Sequence, residues 1–446
     1  MNNKKICIKN AYLLTGECES GSREKYTVVT EGRVIAHIFR QPLGEADSAV
    51  LRDCDRVIDA DGMLLMPGLY NCHTHSPMTL FRGMGDNLSL DSWLNDCIFP
   101  AEDLLNDERV RVGSMMSIAE MIRGGTVSFS DMYFFCPQTA EAVGESGMKA
   151  NISRSVVSFD PSADWSRDSR FAEAEALFRD YNGAFDGRVL IDVALHAEYT
   201  NVASAVRYAS DMRDRLGCRT QVHLSETERE HLASIERHGR TPAGFFDDNG
   251  FLDSALSCAH CVWLSDEDIA LLAERGATVV HNPGSNLKLG SGIMPLRRML
   301  DAGINVTVGT DGAASNNKLD LLSELRLSLL LQRGASCAAD SISSDEMIPI
   351  GTKNGAISQG RSGCGLIREG YAADMILVDL RGVSNLPVRS LSSSLIFSAS
   401  SSDVFMTMCD GRILYENGEY KTLDEEKIKS DFMRVMGEYF PNEFAL

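Results

Sequence analysis

The chain has 446 residues, 44% of them hydrophobic and 24% charged, with a formal net charge of −20. Such a composition supports a large globular core, while the acidic balance speaks against a phosphate-backbone partner, because nucleic-acid binders need basic patches. No run of eighteen uncharged apolar residues is present, so no membrane span is expected, and the opening MNNKKICIKNAYLL lacks a signal-peptide core.

In chain order, residues 1–62 carry short alternating runs (ICIKNAYLLT, YTVVTEGRVIAHIF, RVIDADG) separated by Gly and Asp turns, a β pattern. Between about 63 and 312 come eight apolar runs: MLLMPGLYNCHTH, TVSFSDM, KANISRSVV, VLIDVALHA, TQVHLSE, ALSCAHCVWL, ATVVHNP and INVTVGTDG. Near-continuous apolar runs suit strands buried on both faces of a parallel sheet. Helical patterns lie between them. Residues 101–125 space apolar side chains three and four apart and end on glycines, which predicts one helix. SDEDIALLAERG opens on Ser265 as N-cap, with Asp268 three residues on, and stops at Gly276. DPSADWSRDSR at 160–170 and CAADSISSDE at 337–346 read as exposed loops. The β texture returns at 370–422 with GYAADMILVDL and DVFMTMCDGRILYENGEY. This order predicts an α/β fold: a (β/α)8 TIM barrel with a small composite β-sandwich built from both termini. The expected division is 1–62 and 365–425 for the sandwich, 63–364 for the barrel, and 426–446 for a C-terminal helical tail. Twelve scattered cysteines without a framework fit reduced thiols and a cytoplasmic location. The lone CxxC, Cys258 and Cys261, reads as two small residues on a buried strand.

Functional residues of such barrels sit at the C-terminal ends of strands. Here run one ends in His73 and His75, run five carries His223 with Glu226 just beyond, run six His260, run seven His281, and run eight closes on Asp311. Six of the nine histidines fall at strand ends once His196 on run four is added. His73 and His75, two apart on a strand, face the same way. With His223 and Asp311 they make three imidazoles and a carboxylate, a donor set for one divalent ion, zinc first, with iron or manganese also admitted. Two-metal barrel sites usually need a bridging lysine on strand four; VLIDVALHA has none. A bound ion acidifies water and supplies hydroxide near neutral pH.

MPGLYNCHTHSPMTLFRGMGDNLSLDSWL, VHLSETEREH, AHCVWLSDEDI, HNPGSNLKLGSG and VGTDGAASNN resemble the amidohydrolase superfamily, and within it the methylthioadenosine/S-adenosylhomocysteine deaminase branch. The resemblance covers nearly the whole chain. It implies a metal held by His73, His75, His223 and Asp311, Glu226 as proton shuttle to the heterocycle, and His260 orienting and deprotonating the attacking water. Asp311 would also accept the water's proton and pass it to the leaving amine. It further implies substrate contacts from Glu102 (ribose hydroxyls), Arg154 (the extended end), His196 and Ser315 (the base). His281 is expected behind the ligands rather than among them. Glu198, in HAEYT where much of the family has proline, would face the same way as His196 if the strand continued, and so touch substrate. The implied activity is hydrolytic deamination of methylthioadenosine, S-adenosylhomocysteine, adenosine or deoxyadenosine. The expected partner is a small nucleoside, with neither nucleic acid nor membrane, and a homo-oligomer is admitted. Deamination of guanine or a pterin, hydrolysis of an s-triazine, and a scaffold without catalysis remain alternatives.

Overall fold

Eight parallel strands in chain order take up the apolar runs: Leu69–Thr74, Thr126–Tyr133, Lys149–Val156, Val189–Leu195, Thr220–Leu224, Leu256–His260, Thr278–His281 and Asn305–Val308. They are barrel strands one to eight below. The computed structural model describes residues 4–440, so the first three residues of the expected sandwich and the last six of the expected tail lie outside the described residues. Strand eight returns to strand one through the Asp311 amide, which donates to the His73 carbonyl at 3.0 Å. Asn71 adds a second tie, donating to the Thr310 hydroxyl at 2.7 Å and accepting from the Thr310 amide at 3.0 Å. Gly309 permits this approach, since a Cβ there would stand 2.8 Å from the His73 backbone nitrogen and oxygen.

A second, mostly antiparallel sheet of nine strands draws on both ends of the chain. Its order runs Glu419–Tyr420, Arg412–Glu416, Val404–Cys409, Met375–Asp379, Met63–Pro67, Lys5–Leu13, Ser22–Glu31 and Val34–Arg40, with Arg56–Asp59 also paired to Lys5–Leu13. Ile8, Val28, Leu65, Leu377 and Met406 from five of these strands meet in one apolar core. The first apolar run, expected as a single barrel strand, is in fact two. Met63–Pro67 pairs with Lys5–Leu13 and Met375–Asp379 in the second sheet, past the boundary expected at 62/63. The chain then crosses at Gly68, where a Cβ would fall 2.2 Å from Val127 Cγ1. Apolar periodicity cannot show this break, because both halves are buried.

Two local expectations change similarly. The helix expected over 101–125 splits into Phe99–Glu102 and Asp107–Arg123, because the Asn106 side chain accepts from the Arg109 amide at 2.9 Å and starts a new helix. The loop at 160–170 is not wholly exposed: Trp165 is buried against Phe171 and donates to the Ser204 hydroxyl at 3.0 Å. The tail helix, Glu425–Tyr439, packs on Asp107–Arg123: Arg434 pairs with Glu108 at 2.7 Å, and the Arg109 guanidinium lies 4.0 Å over the Tyr439 ring. The Tyr439 hydroxyl donates to the Ala101 carbonyl. The Ser265 cap forms as expected, accepting from the Asp268 amide at 3.1 Å.

Where strand three begins, the two sheets are joined by a buried ion cluster. Lys149 Nζ lies 2.5 Å from Asp374 Oδ2 and 2.7 Å from Asp410 Oδ1, and the Tyr70 hydroxyl donates to Asp374 at 3.2 Å. Burial opposes the charge on Asp374, yet Lys149 holds its pKa below the usual carboxylate value. Replacing Lys149 by Met leaves the buried Asp374 carboxylate without its cation, while Asp410 keeps Arg33, and a destabilisation of about 3–5 kcal/mol is expected in urea unfolding. A loss below about 1 kcal/mol would show the cluster to be no stronger than a surface pair.

Candidate metal centre

The C-terminal ends of strands one, five, six and eight converge on one point. The imidazole centres of His73 and His75 are 4.9 Å apart, and His73 lies 4.8 Å from His223 and 5.5 Å from His260. Asp311 Oδ1 stands 3.1 Å from His75 Nε2 and 3.5 Å from His73 Nε2. Protonation follows from what lies behind the rings. His75 Nδ1 is 2.6 Å from the Met132 carbonyl and His223 Nδ1 is 2.7 Å from the His196 carbonyl. Carbonyls only accept, so each Nδ1 carries the proton and each Nε2 offers a lone pair. Those two Nε2 atoms face each other at 3.3 Å, and His73 Nε2 is buried without a hydrogen-bond partner.

Three converging lone pairs and a carboxylate call for a cation. Zinc–nitrogen bonds of about 2.0–2.1 Å set two ligands of one tetrahedral ion about 3.3 Å apart, which matches the His75–His223 separation. Donor atoms of His73, His75 and His223 lie within 4.8 Å of one another, as do those of His73, His260 and Asp311. Burial works against the Asp311 charge, but the His73 and His75 imidazoles beside Oδ1 hold its pKa well below the usual carboxylate range. Its second oxygen accepts from Ser285 Oγ at 2.6 Å and Ser315 Oγ at 2.8 Å, and the Gly312 amide donates to the first at 2.8 Å. Such outer contacts fix a ligand's orientation. Asp311 and His260 have φ of +60° and +72°, left-handed conformations that cost non-glycine residues energy and recur at functional sites.

Beyond strand five the chain turns through Ser225, and Glu230 clamps the turn by accepting from the Ser225 amide at 3.0 Å and the Glu226 amide at 2.7 Å. Glu226 is buried. Its carboxyl accepts from Ser291 Oγ at 2.9 Å and lies 3.8 Å from His260 Nε2. Burial raises its pKa, with Asp311 adding to the rise and His260 opposing it, which favours a carboxyl able to donate. His260 Nδ1 meets Asn286 Oδ1 at 2.8 Å, leaving Nε2 turned to the site.

These groups floor a cavity of about 800 Å³ that opens outward between Trp93, Glu102, Tyr133, Arg154, His196 and Tyr199. Burial pushes the Glu102 carboxyl up to about 7, against Tyr133 and His75. Burial lowers His196 to about 4, so its ring is neutral at pH 7; Nδ1 meets the Thr200 hydroxyl at 3.1 Å.

The structure thus brings His73, His75, His223, His260, Asp311 and Glu226 together and sets Glu102, Arg154 and His196 on the cavity wall. Two sequence expectations are corrected. Ser315 is buried behind Asp311, with its hydroxyl spent on Asp311 Oδ2 and the Gly312 carbonyl, and it does not line the cavity. Glu198 leaves the strand in a 3-10 turn, Glu198–Thr200, and turns away from the site. It is buried against Arg237 at 2.5 Å and His238 at 2.8 Å. His281 lies behind the ligands, buried, with its pKa lowered by burial to about 3. Asn286, Ser291, Glu230 and Tyr133 escaped sequence reasoning. Asn286 and Ser291 were within reach, since HNPGSNLKLGSG follows the end of strand seven directly, where loop residues face the cavity.

The chain matches the Amidohydrolase family over residues 64–414. A 5'-deoxyadenosine deaminase of Methanosarcina mazei is 40% identical over 97% of this chain and 98% of its own. A 5-methylthioadenosine/S-adenosylhomocysteine deaminase of Dictyoglomus thermophilum is 42% identical over 86% of this chain and 89% of its own. Among solved structures, an adenosine deaminase from Xanthomonas campestris with bound zinc superposes with a TM-score of 0.91 at 31% identity, over 98% of both chains. Atrazine chlorohydrolase from Arthrobacter aurescens, at 24% identity and a TM-score of 0.88 over 97% of this chain and all of the other, shares the fold. Family match, relatives and site geometry agree, and the chain belongs to the amidohydrolase family.

Proposed function

We propose that the chain is a hydrolytic deaminase of adenosine-type nucleosides, working with one divalent ion, zinc first, held by His73, His75, His223 and Asp311. One observation carries this reading. A buried carboxyl, Glu226, with its pKa raised, shares the floor of an 800 Å³ cavity with the imidazole–carboxylate cluster. A group that can protonate a ring nitrogen therefore lies beside one that can activate water. The relatives named above support the choice of nucleoside.

When bound, the ion supplies an acidified water near neutral pH. His260, its Nδ1 held by Asn286, orients that water with Nε2, and Asp311 accepts its proton. Glu226 donates to the ring nitrogen next to the amine-bearing carbon as the oxygen adds to that carbon. Asp311 returns its proton to the amine, the carbon–nitrogen bond breaks, and ammonia leaves. Glu226 regains a proton from the new hydroxyl as the carbonyl forms. The Glu102 carboxylate accepts from the two ribose hydroxyls, and His196 borders the base.

Ammonia release tests the reading across adenosine, deoxyadenosine, 5'-deoxyadenosine, methylthioadenosine, S-adenosylhomocysteine, adenine and guanine. Nucleosides are expected to exceed both free bases in kcat/KM by about 100-fold, the worth of two lost ribose hydrogen bonds. Guanine as best substrate, or no ammonia from any compound, overturns it.

A further inference from the structure

The outer part of the cavity is built around one cation. Among the described residues Arg154 is the only Lys or Arg lining it, and the acids Asp103, Asp107, Glu173 and Asp180 line it too. Exposure marks which end this is: the ligand histidines are at most slightly exposed, whereas Phe159 is 69% exposed and Phe135 40%. A nucleoside with its base on the floor and its ribose at Glu102 extends its 5' substituent into this outer part, where Arg154 is among the lining residues.

That arginine is already engaged. Arg154 Nε donates to Glu173 Oε2 at 2.7 Å, one Nη donates to the Ser155 carbonyl, and the guanidinium lies 5.0 Å from the Phe134 ring centre. A guanidinium grips a carboxylate through two neighbouring N–H groups in parallel. Glu173 occupies Nε, so the edge formed by Nε and its neighbouring Nη is taken. Glu173, on helix Ser169–Tyr181, thus neutralises Arg154, and with Asp103, Asp107 and Asp180 also on the wall the described lining carries a negative balance.

We propose that Glu173 is a specificity-determining residue that turns the outer cavity against nucleosides whose 5' substituent ends in a carboxylate. The substrates it admits are adenosine-type nucleosides with small, uncharged 5' ends. This rests on the deaminase reading above and narrows it. A 5' methyl or methylthio group meets Phe134, Phe135 and Phe159 without asking anything of Arg154. A homocysteine carboxylate must displace Glu173 or go unpaired among acids.

The test is the ratio of kcat/KM for S-adenosylhomocysteine to that for methylthioadenosine, in the metal-loaded enzyme. In the native enzyme the ratio is expected below one. Glu173→Gln and Glu173→Ala both free the guanidinium edge, and each is expected to raise the ratio by roughly tenfold, the worth of one charge-assisted pair. Adding Arg154→Met to either is expected to cancel the gain. A ratio unmoved by both Glu173 variants, or a gain that survives Arg154→Met, overturns the proposal. These outcomes leave the deaminase reading standing, because methylthioadenosine is still turned over; absence of ammonia from both nucleosides in the native enzyme defeats the deaminase reading itself and this proposal with it. Glu173 is exposed on its helix, so folding of the variants is not at stake.

Discussion

Glu226→Gln is expected to lower kcat by about 10²–10⁴-fold, the range associated with a lost general acid, while metal content stays at one ion per chain. The substitution keeps shape and removes only the transferable proton. Ser291 can still donate to the amide oxygen, and Glu230 holds the backbone of Ser225 and Glu226 regardless of the side chain that follows. Glu226 is not part of either metal-donor group. Metal analysis and turnover on the same preparation therefore separate proton transfer from architecture. Turnover within threefold of native removes Glu226 from the mechanism, and loss of the ion makes it a structural residue.

Asp311→Ala is expected to lose both the ion and about 10⁴-fold or more in kcat/KM, because the proposed mechanism uses one carboxylate as ligand and as proton acceptor. The change also strips Ser285 and Ser315 of their acceptor and leaves His73 and His75 facing each other without the anion between them. Dialysis of the native enzyme against a chelator is expected to abolish activity too, and zinc, iron or manganese to restore it; the same ions are expected to restore nothing in Asp311→Ala. Recovery of the variant on adding metal would assign Asp311 to orientation only. Chelated native enzyme that keeps full turnover would end the metal-dependent reading.

The sequence announced the barrel because burial on both faces of a parallel strand leaves an uninterrupted apolar run, and eight such runs alternate with helical patterns. It marked the candidate metal donors for a related reason: a strand end inside a barrel is dry, and ionisable residues there stand out against it. His73 and His75 alone were ambiguous, and His223 and Asp311 resolved them by occupying matching ends. What stayed hidden depends on directions that spacing does not encode. Glu198 lies two residues beyond His196, and only the turn at Ala197 shows that its side chain leaves the site for Arg237 and His238. Ser315 follows Asp311 closely enough to touch either substrate or ligand, and its hydrogen bond decides for the ligand. The Arg154–Glu173 pair joins a strand to a helix nineteen positions on, a meeting fixed by packing alone.

The crossing at Gly68 bears on how the protein is made. Leu69, where the histidine-bearing strand begins, directly follows a segment whose second edge is paired to Met375–Asp379. A ribosome has delivered every proposed ligand by residue 311, yet the partner that clamps the root of the first strand emerges only afterwards. A nascent chain paused between those points owns its donors without the brace beneath them. Since N-terminal units generally settle first during synthesis, this barrel is an exception by construction: the segment leading into its opening strand is clamped by a strand that leaves the tunnel only after all eight barrel strands.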